Sequence, residues 1–401
     1  RLLGHRHQEN AFDDFVRQPL LPNLPSRLGP GVSWIDVDGD GDDDVLIPAA
    51  RGGRAGCWRN TGSGFEPAPE IRDLLDAVTD QSAIVGFGHA GEALLAVGFS
   101  AWEESQPALA GRLITRRGAQ WQPGLNLEDR RNALGPLALA DFNGDGALDF
   151  FLGGRLVPGR YPEPADSVVA LNQATPASGH WAAALKGLGL ASGAVAADFD
   201  GDGDPDLAVC CEWGPIHLLL NDGKGLASAT ADWKLAGLTG WWNGLAAGDF
   251  DGDGRLDLIA SNWGENSKYG RNPPAGHPLQ VYYGDLDDSG SFDIVEAHTD
   301  KFTHKLVPER GLSCSSRAMP FVRQQTPTFK LFGEADLGGI FGDRLAKARV
   351  AEAAELRHLV LLNRGDHFEP RPLPREAQWA PAFGVSVADF DGDGKLDAFL
   401  A

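Results

Sequence analysis

A nine-residue acidic loop recurs along this 401-residue chain. Its clearest copy is Asp249-Phe-Asp251-Gly-Asp253-Gly-Arg-Leu-Asp257, which places carboxylates at positions 1, 3, 5 and 9. Carboxylates crowded together repel one another, and a hard divalent cation between them relieves that repulsion. An all-oxygen donor set favours calcium over magnesium, because magnesium keeps more of its water. We therefore predict a calcium loop, with the backbone carbonyl at position 7 as a further ligand.

Five other stretches follow the same spacing, so the sequence predicts five to six calcium ions. Four are near-copies, and the looser sixth has serine at position 5. The predicted ligands at positions 1, 3, 5, 7 and 9 are Asp36, Asp38, Asp40, Asp42 and Asp44; Asp141, Asn143, Asp145, Ala147 and Asp149; Asp198, Asp200, Asp202, Asp204 and Asp206; Asp249, Asp251, Asp253, Arg255 and Asp257; Asp285, Asp287, Ser289, Ser291 and Asp293; and Asp389, Asp391, Asp393, Lys395 and Asp397. The alternative to a metal site is a solvated acidic turn.

These loops differ from an EF-hand, which needs a glutamate at position 12 and a helix on each side. Position 12 is apolar in five of the loops. The sixth carries Glu296 there, but the residues on both sides of it have the pattern of strands. We therefore group it with the others.

Composition and charge narrow the choice of partner and compartment. The net charge of −21 argues against nucleic acid or an anionic membrane as partner, and no run approaches the roughly 20 apolar residues of a membrane helix. Cys57, Cys210, Cys211 and Cys314 lack metal or haem spacing, which leaves disulfides, including a vicinal pair, and buried thiols open. The start at Arg1 suggests a processed or trimmed product. Calcium use favours a secreted, cell-surface or periplasmic protein.

Internal repetition predicts the fold. Each acidic loop stands between two short apolar strands, and a hairpin follows with Asn, Asp or Gly at its tip. Four short strands per unit of roughly 50 residues, repeated about seven times, are typical of β-propeller blades. The stretch Ile84–Val97 has the same apolar flanks without the ligands, so we predict a repeat that lacks its ion. We expect a single all-β domain over residues 1–401.

Two stretches depart from the repeat. We predict that residues 1–22 supply outer strands that close the last blade, because the chain ends after the second strand of that blade. Residues about 300–357 have helical apolar spacing and are rich in Ala, Glu, Lys and Arg. We predict a helical insertion in the penultimate blade, as packing filler or as a partner-binding element.

The loop motif, together with the entering strands at Phe383-Gly384 and Gly135-Pro136, resembles the FG-GAP/VCBS repeat family, to which the integrin α-subunit propeller is related. The likeness covers nearly the whole chain, is weaker at residue 285 and is lost near residues 84–97. It implies a seven-bladed propeller with calcium in the hairpin that joins strands 1 and 2 of a blade. It also implies metal ligands at loop positions 1, 3, 5, 7 and 9.

Tryptophans next to carboxylates and amides lie in the connectors that we expect on the face opposite the acidic loops. Such groups suit stacking on a sugar ring, and they suit a protein partner equally well. We expect about half of the 11 tryptophans to lie in the core. The candidate ligand-binding residues are Trp102, Glu103, Tyr161, Glu212, Trp213, Trp241, Trp242, Asn262, Trp263, Glu265 and Trp379.

We therefore predict a calcium-stabilised binding or scaffold module that recognises a protein or carbohydrate through this Trp-rich face, alone or in a larger assembly. The alternative is a lyase-like, polysaccharide-active enzyme with Glu103, Glu104, Glu212 or Glu265 as general acid or base. We identify no nucleophile motif, HExxH sequence or phosphate loop, so no catalytic residue is assigned. The Arg364-Gly365-Asp366 sequence is explained by hairpin-turn chemistry.

Overall fold

The computed structural model describes residues 4–29, 31–76, 79–89, 92–104, 109–118, 120–128, 132–172, 181–223, 225–269 and 276–401. Within these ranges the chain forms antiparallel sheets with a few short helices, so the predicted all-β class is confirmed. In the described part, no helix is long and apolar enough to cross a membrane. All four cysteines are free thiols, and only Cys314 is exposed.

Four consecutive segments each form a four-stranded antiparallel unit in chain order. The strands are β1 (Ser33–Ile35), β2 (Asp44–Ile47), β3 (Gly56–Asn60) and β4 (Phe65–Pro67); β5 (Asp80–His89), β6 (Glu92–Ser100), β7 (Leu109–Arg117) and β8 (Gln120–Glu128); β9 (Ala133–Ala140), β10 (Asp149–Leu156), β11 (Ser167–Ala170) and β12 (Trp181–Leu185); and β13 (Leu190–Ala197), β14 (Asp206–Gly214), β15 (Ile216–Asn221) and β16 (Leu226–Ser228). A short strand β17 (Gly240–Trp241) also pairs with β14, and a bridge between Ser100 and Ala133 joins the second unit to the third.

The fifth sheet is split in the sequence. It pairs β18 (Gly244–Gly248) and β19 (Asp257–Ser261) with two strands from nearly a hundred residues later, β24 (Leu359–Asn363) and β25 (Phe368–Pro372). The last sheet has two strands, β26 (Val385–Ala388) and β27 (Asp397–Leu400). The first strands of successive sheets contact one another in chain order, from β1 through β5, β9, β13 and β18 to β26. Apolar side chains between neighbouring sheets form most of the core.

Residues 262–358, which we call the inserted lobe, separate β19 from β24. The lobe contains a four-stranded sheet of β20 (Leu279–Gly284), β21 (Asp293–Thr299), β22 (Leu306–Pro308) and β23 (Arg349–Ala353). Its helices are α3 (Leu312–Ala318), α4 (Phe321–Gln325), α5 (Phe329–Glu334) and α6 (Leu337–Phe341), and a 3-10 helix follows at Gly342–Lys347.

The helices of the lobe lie at residues 312–347, within the predicted stretch of about 300–357. The insertion as a whole is longer, because its strands begin before residue 300. Because β20 pairs with both β21 and β23, the lobe encloses the sixth acidic loop within its own sheet. That loop therefore lies outside the series of consecutive sheets, contrary to the prediction that it belongs to a blade like the other five.

The N-terminal segment adopts a different structure from the one predicted for residues 1–22. Residues 1–3 lie outside the described part, and residues 4–29 contain helix α1 (Asp14–Arg17) and a 3-10 turn at Pro25–Arg27. No strand from them pairs with β27, so they do not complete the last sheet. The physical reason is that Asp14, Gln18 and Leu21 are buried elsewhere in the molecule. A further helix, α2 (Pro69–Leu75), links the first and second sheets.

Candidate functional site

The acidic loops share one backbone conformation. Glycine at positions 4 and 6 has positive φ, for example 77° at Gly252 and 87° at Gly254, which other residues adopt only with strain. This turn aims loop N–H groups at the first aspartate: Asp249 accepts from Gly252 (2.8 Å) and from Gly254 (2.9 Å). In the sixth loop Asp288 takes the position 4 conformation at φ 60°.

The aspartate at position 9 joins the loop to its sheet in four of the six loops. Asp206 is fully buried, and its Oδ2 accepts from Phe199 N–H at position 2 (2.8 Å) while its Oδ1 accepts from Asn221 N–H on β15 (2.8 Å). Asp44, Asp149 and Asp257 make the same pair of hydrogen bonds in their own loops; these partners are Val37 and Asn60, Phe142 and Asn172, and Phe250 and Asn363. Burial raises the pKa of Asp149, Asp206 and Asp293 to about 6, since the charged form loses its water.

Five of the six loops gather three carboxylate groups closely enough to ligate one ion, with the ligand atoms of each group within 4.8 Å of one another. The groups are Asp36, Asp38 and Asp40; Asp198, Asp200 and Asp206; Asp249, Asp251 and Asp257; Asp285, Asp287 and Asp293; and Asp389, Asp391 and Asp397. In the remaining loop Asn143 replaces a carboxylate at position 3 and donates to Asp145 (3.3 Å). Hard oxygen donors of this kind fit calcium.

Basic side chains already reach some of these acids. Arg364, at the tip of the β24–β25 hairpin, places Nη1 2.7 Å from Asp251 and 3.6 Å from Asp253, and its Nε lies 3.0 Å from Glu369. The guanidinium lowers the pKa of Asp251 through this hydrogen bond. The tip that contains Arg364-Gly365-Asp366 is thus engaged with the fifth sheet's own loop.

At two hairpin tips the asparagine has a role beyond the turn chemistry that the sequence predicts. Asn363 Nδ2 donates to the Phe199 carbonyl in the preceding sheet's loop (2.7 Å) and to the Leu256 carbonyl (3.1 Å). Asn221 Nδ2 likewise donates to the Phe142 carbonyl of the loop before it (3.2 Å). These side chains join one sheet to the next. The signal was the recurrence of Asn at that point of successive repeats.

Several of the predicted ligand-binding aromatics do come together. The Trp241 ring lies 4.4 Å from Trp213 and 4.5 Å from Trp263, measured between centroids, and Tyr269 lies 5.1 Å away. Trp213 Nε1 donates to the Tyr161 hydroxyl (2.6 Å). We call these five residues the aromatic cluster.

Buried carboxylates lie against the aromatic cluster. The Tyr161 hydroxyl donates to Glu212 (3.2 Å), which Arg155 also contacts, and the Tyr269 hydroxyl donates to Glu296 (2.5 Å). Glu296, the residue at position 12 of the sixth loop, therefore accepts a hydrogen bond from Tyr269. Burial raises the pKa of Glu296, and it raises the pKa of both tyrosines.

Two parts of the chain cover this cluster. Leu279, Val281 and Ala353 of the inserted lobe pack in the same apolar core as Trp213 and Trp241. Most of the residues predicted to bind a ligand are therefore buried inside the molecule.

The N-terminal segment supplies the rest of the cover. Gln18 exchanges two 2.8 Å hydrogen bonds with the backbone of Tyr161. Asp14 accepts from Trp102 Nε1 (2.7 Å), which helps to keep that indole buried.

The remaining candidates lie in three places. Glu103 is 5% exposed, and burial together with the charge of Asp80 raises its pKa to about 7. Trp242 and Asn262 are fully buried, Trp242 between the fourth and fifth sheets. Glu265 and Trp379 are exposed, and the Glu265 N–H donates to Gln378, next to Trp379 in the chain (3.0 Å).

Comparison with known proteins identifies the repeat. Residues 141–209 and 198–260 match the family model described as FG-GAP-like repeat, so the chain contains the repeats that its sequence predicts. Over 98% of its length the chain is 24% identical to Cartilage acidic protein 1 of Xenopus tropicalis. It spans 60% of the length of that relative.

Two solved structures show distant similarity. One is BBS1N in complex with ARL6DN, with a TM-score of 0.36 and 13% identity over 57% of this chain and 60% of that one. The other is a lectin from Agrocybe aegerita that recognises non-reducing terminal N-acetylglucosamine, with a TM-score of 0.33 and 17% identity over 66% of this chain and 65% of that one. At these scores neither structure informs the ligand of this chain.

Proposed function

We propose that this chain is a calcium-stabilised binding or scaffold module built as a β-propeller, with the six sheets in series as blades. The observation that carries the proposal is the repetition of one carboxylate cluster at the hairpin between the first two strands of a sheet: in the first, fourth, fifth and last sheets and in the sheet of the inserted lobe. Without a cation, each cluster holds repelling charges within a few ångströms. An ion that binds only the folded chain therefore stabilises the fold.

We further propose a secreted, cell-surface or periplasmic location, where free calcium reaches the concentrations that weak extracellular sites require. A relative whose name places it in cartilage supports this. The exposed part of the predicted ligand face is Trp379 with Glu265. The half-exposed Phe383 lies 6.2 Å from Trp263, measured between ring centroids. We propose this smaller surface for a protein or carbohydrate ligand. The lyase-like alternative keeps only Glu265 as an exposed acid, because Glu103 and Glu212 are buried and the half-buried Glu104 lies 3.4 Å from Arg51.

Thermal unfolding with calcium, with magnesium and with EDTA tests the scaffold proposal. Each site adds about 2.7 kcal/mol at a hundredfold excess of free calcium over its Kd. We expect calcium to raise Tm by at least several degrees over EDTA, and magnesium to raise it less. Equal melting curves in calcium and EDTA would refute the assignment.

A further inference from the structure

Residues 301–350 of the inserted lobe carry a charge opposite to that of the rest of the chain. They contain nine Lys and Arg against four Asp and Glu, a net charge of +5. The whole chain has −21, so the other residues together carry −26. Of these nine basic residues, all but Arg310 are exposed. A compact positive region on a strongly acidic protein creates a local field that attracts negative groups.

The same region exposes large apolar side chains. Phe302 is 81% exposed, Phe329 67% and Leu331 49%. Single exposed apolar residues are ordinary, whereas several of them together with arginine are typical of protein-binding surfaces.

Contacts on the lobe join these residues into one surface. Lys305 Nζ, just after Phe302, donates to the Glu334 carbonyl at the end of α5 (2.9 Å). At the other end of α5, the Arg323 guanidinium lies 5.7 Å from the centroid of the Phe329 ring. We define the basic apolar patch by the following residues: Phe302, Lys305, Arg323, Phe329, Lys330 and Leu331.

The charges of the patch are largely uncompensated within the chain. In the part of the chain that the structure describes, Lys305 and Arg323 have no carboxylate within 4.0 Å, and Lys330 has only the exposed Glu334 at 3.8 Å. Their cationic groups are therefore available to a partner.

We propose that the basic apolar patch docks an acidic polypeptide segment that also carries apolar side chains. This gives the binding module proposed above a second binding surface, in addition to the one at Trp379 and Glu265, and rests on that function. Negative side chains would pair with the lysines and arginine, and apolar ones would cover the phenylalanine and leucine side chains. A polyanion without apolar groups would leave Phe302, Phe329 and Leu331 in water. An anionic membrane would repel the −26 carried by the rest of the molecule.

Fluorescence anisotropy of a labelled synthetic peptide of Glu, Leu and Phe, titrated with the full chain in calcium, tests the proposal. We expect saturable binding that weakens as salt rises. The double variant Phe329→Ser/Lys330→Glu should weaken it on the order of tenfold or more, because it removes an exposed anchor and reverses a charge. The matched control is Phe399→Ser/Arg371→Glu, which changes an exposed Phe and an exposed Arg in other sheets and should leave binding unchanged.

Polyglutamate, heparin and phosphatidylserine vesicles serve as competing probes. Equal affinity for polyglutamate, stronger patch-dependent binding to heparin or vesicles, or an unchanged affinity of the patch variant would overturn the proposal. A calcium-dependent Tm that persists in that variant shows that the scaffold proposal stands even if the docking proposal fails. If calcium does not raise the Tm of the wild-type chain, the scaffold proposal itself is refuted.

Discussion

The side chain of Asn363 offers a sharp test of how neighbouring sheets are joined. It is fully buried and makes three hydrogen bonds: to the Phe199 carbonyl (2.7 Å), to the Leu256 carbonyl (3.1 Å) and from the Gly365 N–H (2.8 Å). Asn363→Ala removes all three and leaves backbone groups without this partner. At roughly 1 kcal/mol for each lost bond, and more where a buried group stays unsatisfied, the free energy of unfolding should fall by about 3 kcal/mol.

The same variant separates the sheet contact from metal binding. The backbone N–H of Asn363, which alanine retains, donates to Asp257, so the fifth sheet's loop keeps its anchored carboxylate. Urea unfolding in calcium should show the loss of stability, while calcium titration shows the same number of ions. Asn266→Ala is the control, because that exposed side chain makes one hydrogen bond, to the Trp379 carbonyl (3.1 Å). A midpoint for Asn363→Ala equal to that of the control would refute the reasoning.

Two further predictions concern charged groups. Arg364→Thr removes the cation that competes with calcium for Asp251, so the loop at 249–257 should bind calcium roughly threefold more tightly at low salt. The control Arg371→Thr should leave the calcium affinity unchanged. Terbium luminescence measures the affinity of both variants, and equal affinities would contradict the competition. Glu103→Gln concerns a carboxyl that faces Asp80, Arg51 and Glu9 and has a pKa of about 7 in the fold. In the unfolded chain this carboxyl loses its proton near pH 4.5. The protonated carboxyl therefore makes its whole contribution to the free energy of unfolding below pH 4.5, and that contribution is lost as the pH rises through 7. Glutamine resembles the neutral form of the carboxyl. The free energy of unfolding of the variant, measured in urea, should therefore exceed that of wild type by up to about 3 kcal/mol at pH 8 and by much less at pH 5. The same difference at both pH values would contradict the prediction.

The acidic loops were predictable because their information is local. Position 9 aspartates such as Asp206 follow a glycine-rich turn at fixed spacing, and the short apolar strands beside them define the sheet. The partner that Asn363 finds in the preceding sheet could not be predicted from one repeat. That hydrogen bond spans 164 residues and depends on how the sheets pack.

The burial of the aromatic cluster could not be predicted from the sequence. Trp213 and Trp241 stand where the sequence predicts connectors, and their residue types fit a binding face. In the structure they lie instead in the paired strands β14 and β17. Their burial depends on the inserted lobe, whose true start lies before residue 300 and is concealed by strand-like sequence around β20. Gln18 contributes from the opposite end of the chain, 143 residues from Tyr161. Only tertiary packing brings these segments together.

The most direct test of the central claim is the number of calcium ions that the chain binds, measured by equilibrium dialysis and elemental mass spectrometry. We predict five to six ions per wild-type chain. Asp251→Ala should lose one ion, whereas Glu92→Ala, in the repeat without an acidic loop, should lose none. A wild-type chain that retains no calcium, or a count that Asp251→Ala leaves unchanged, would contradict the account.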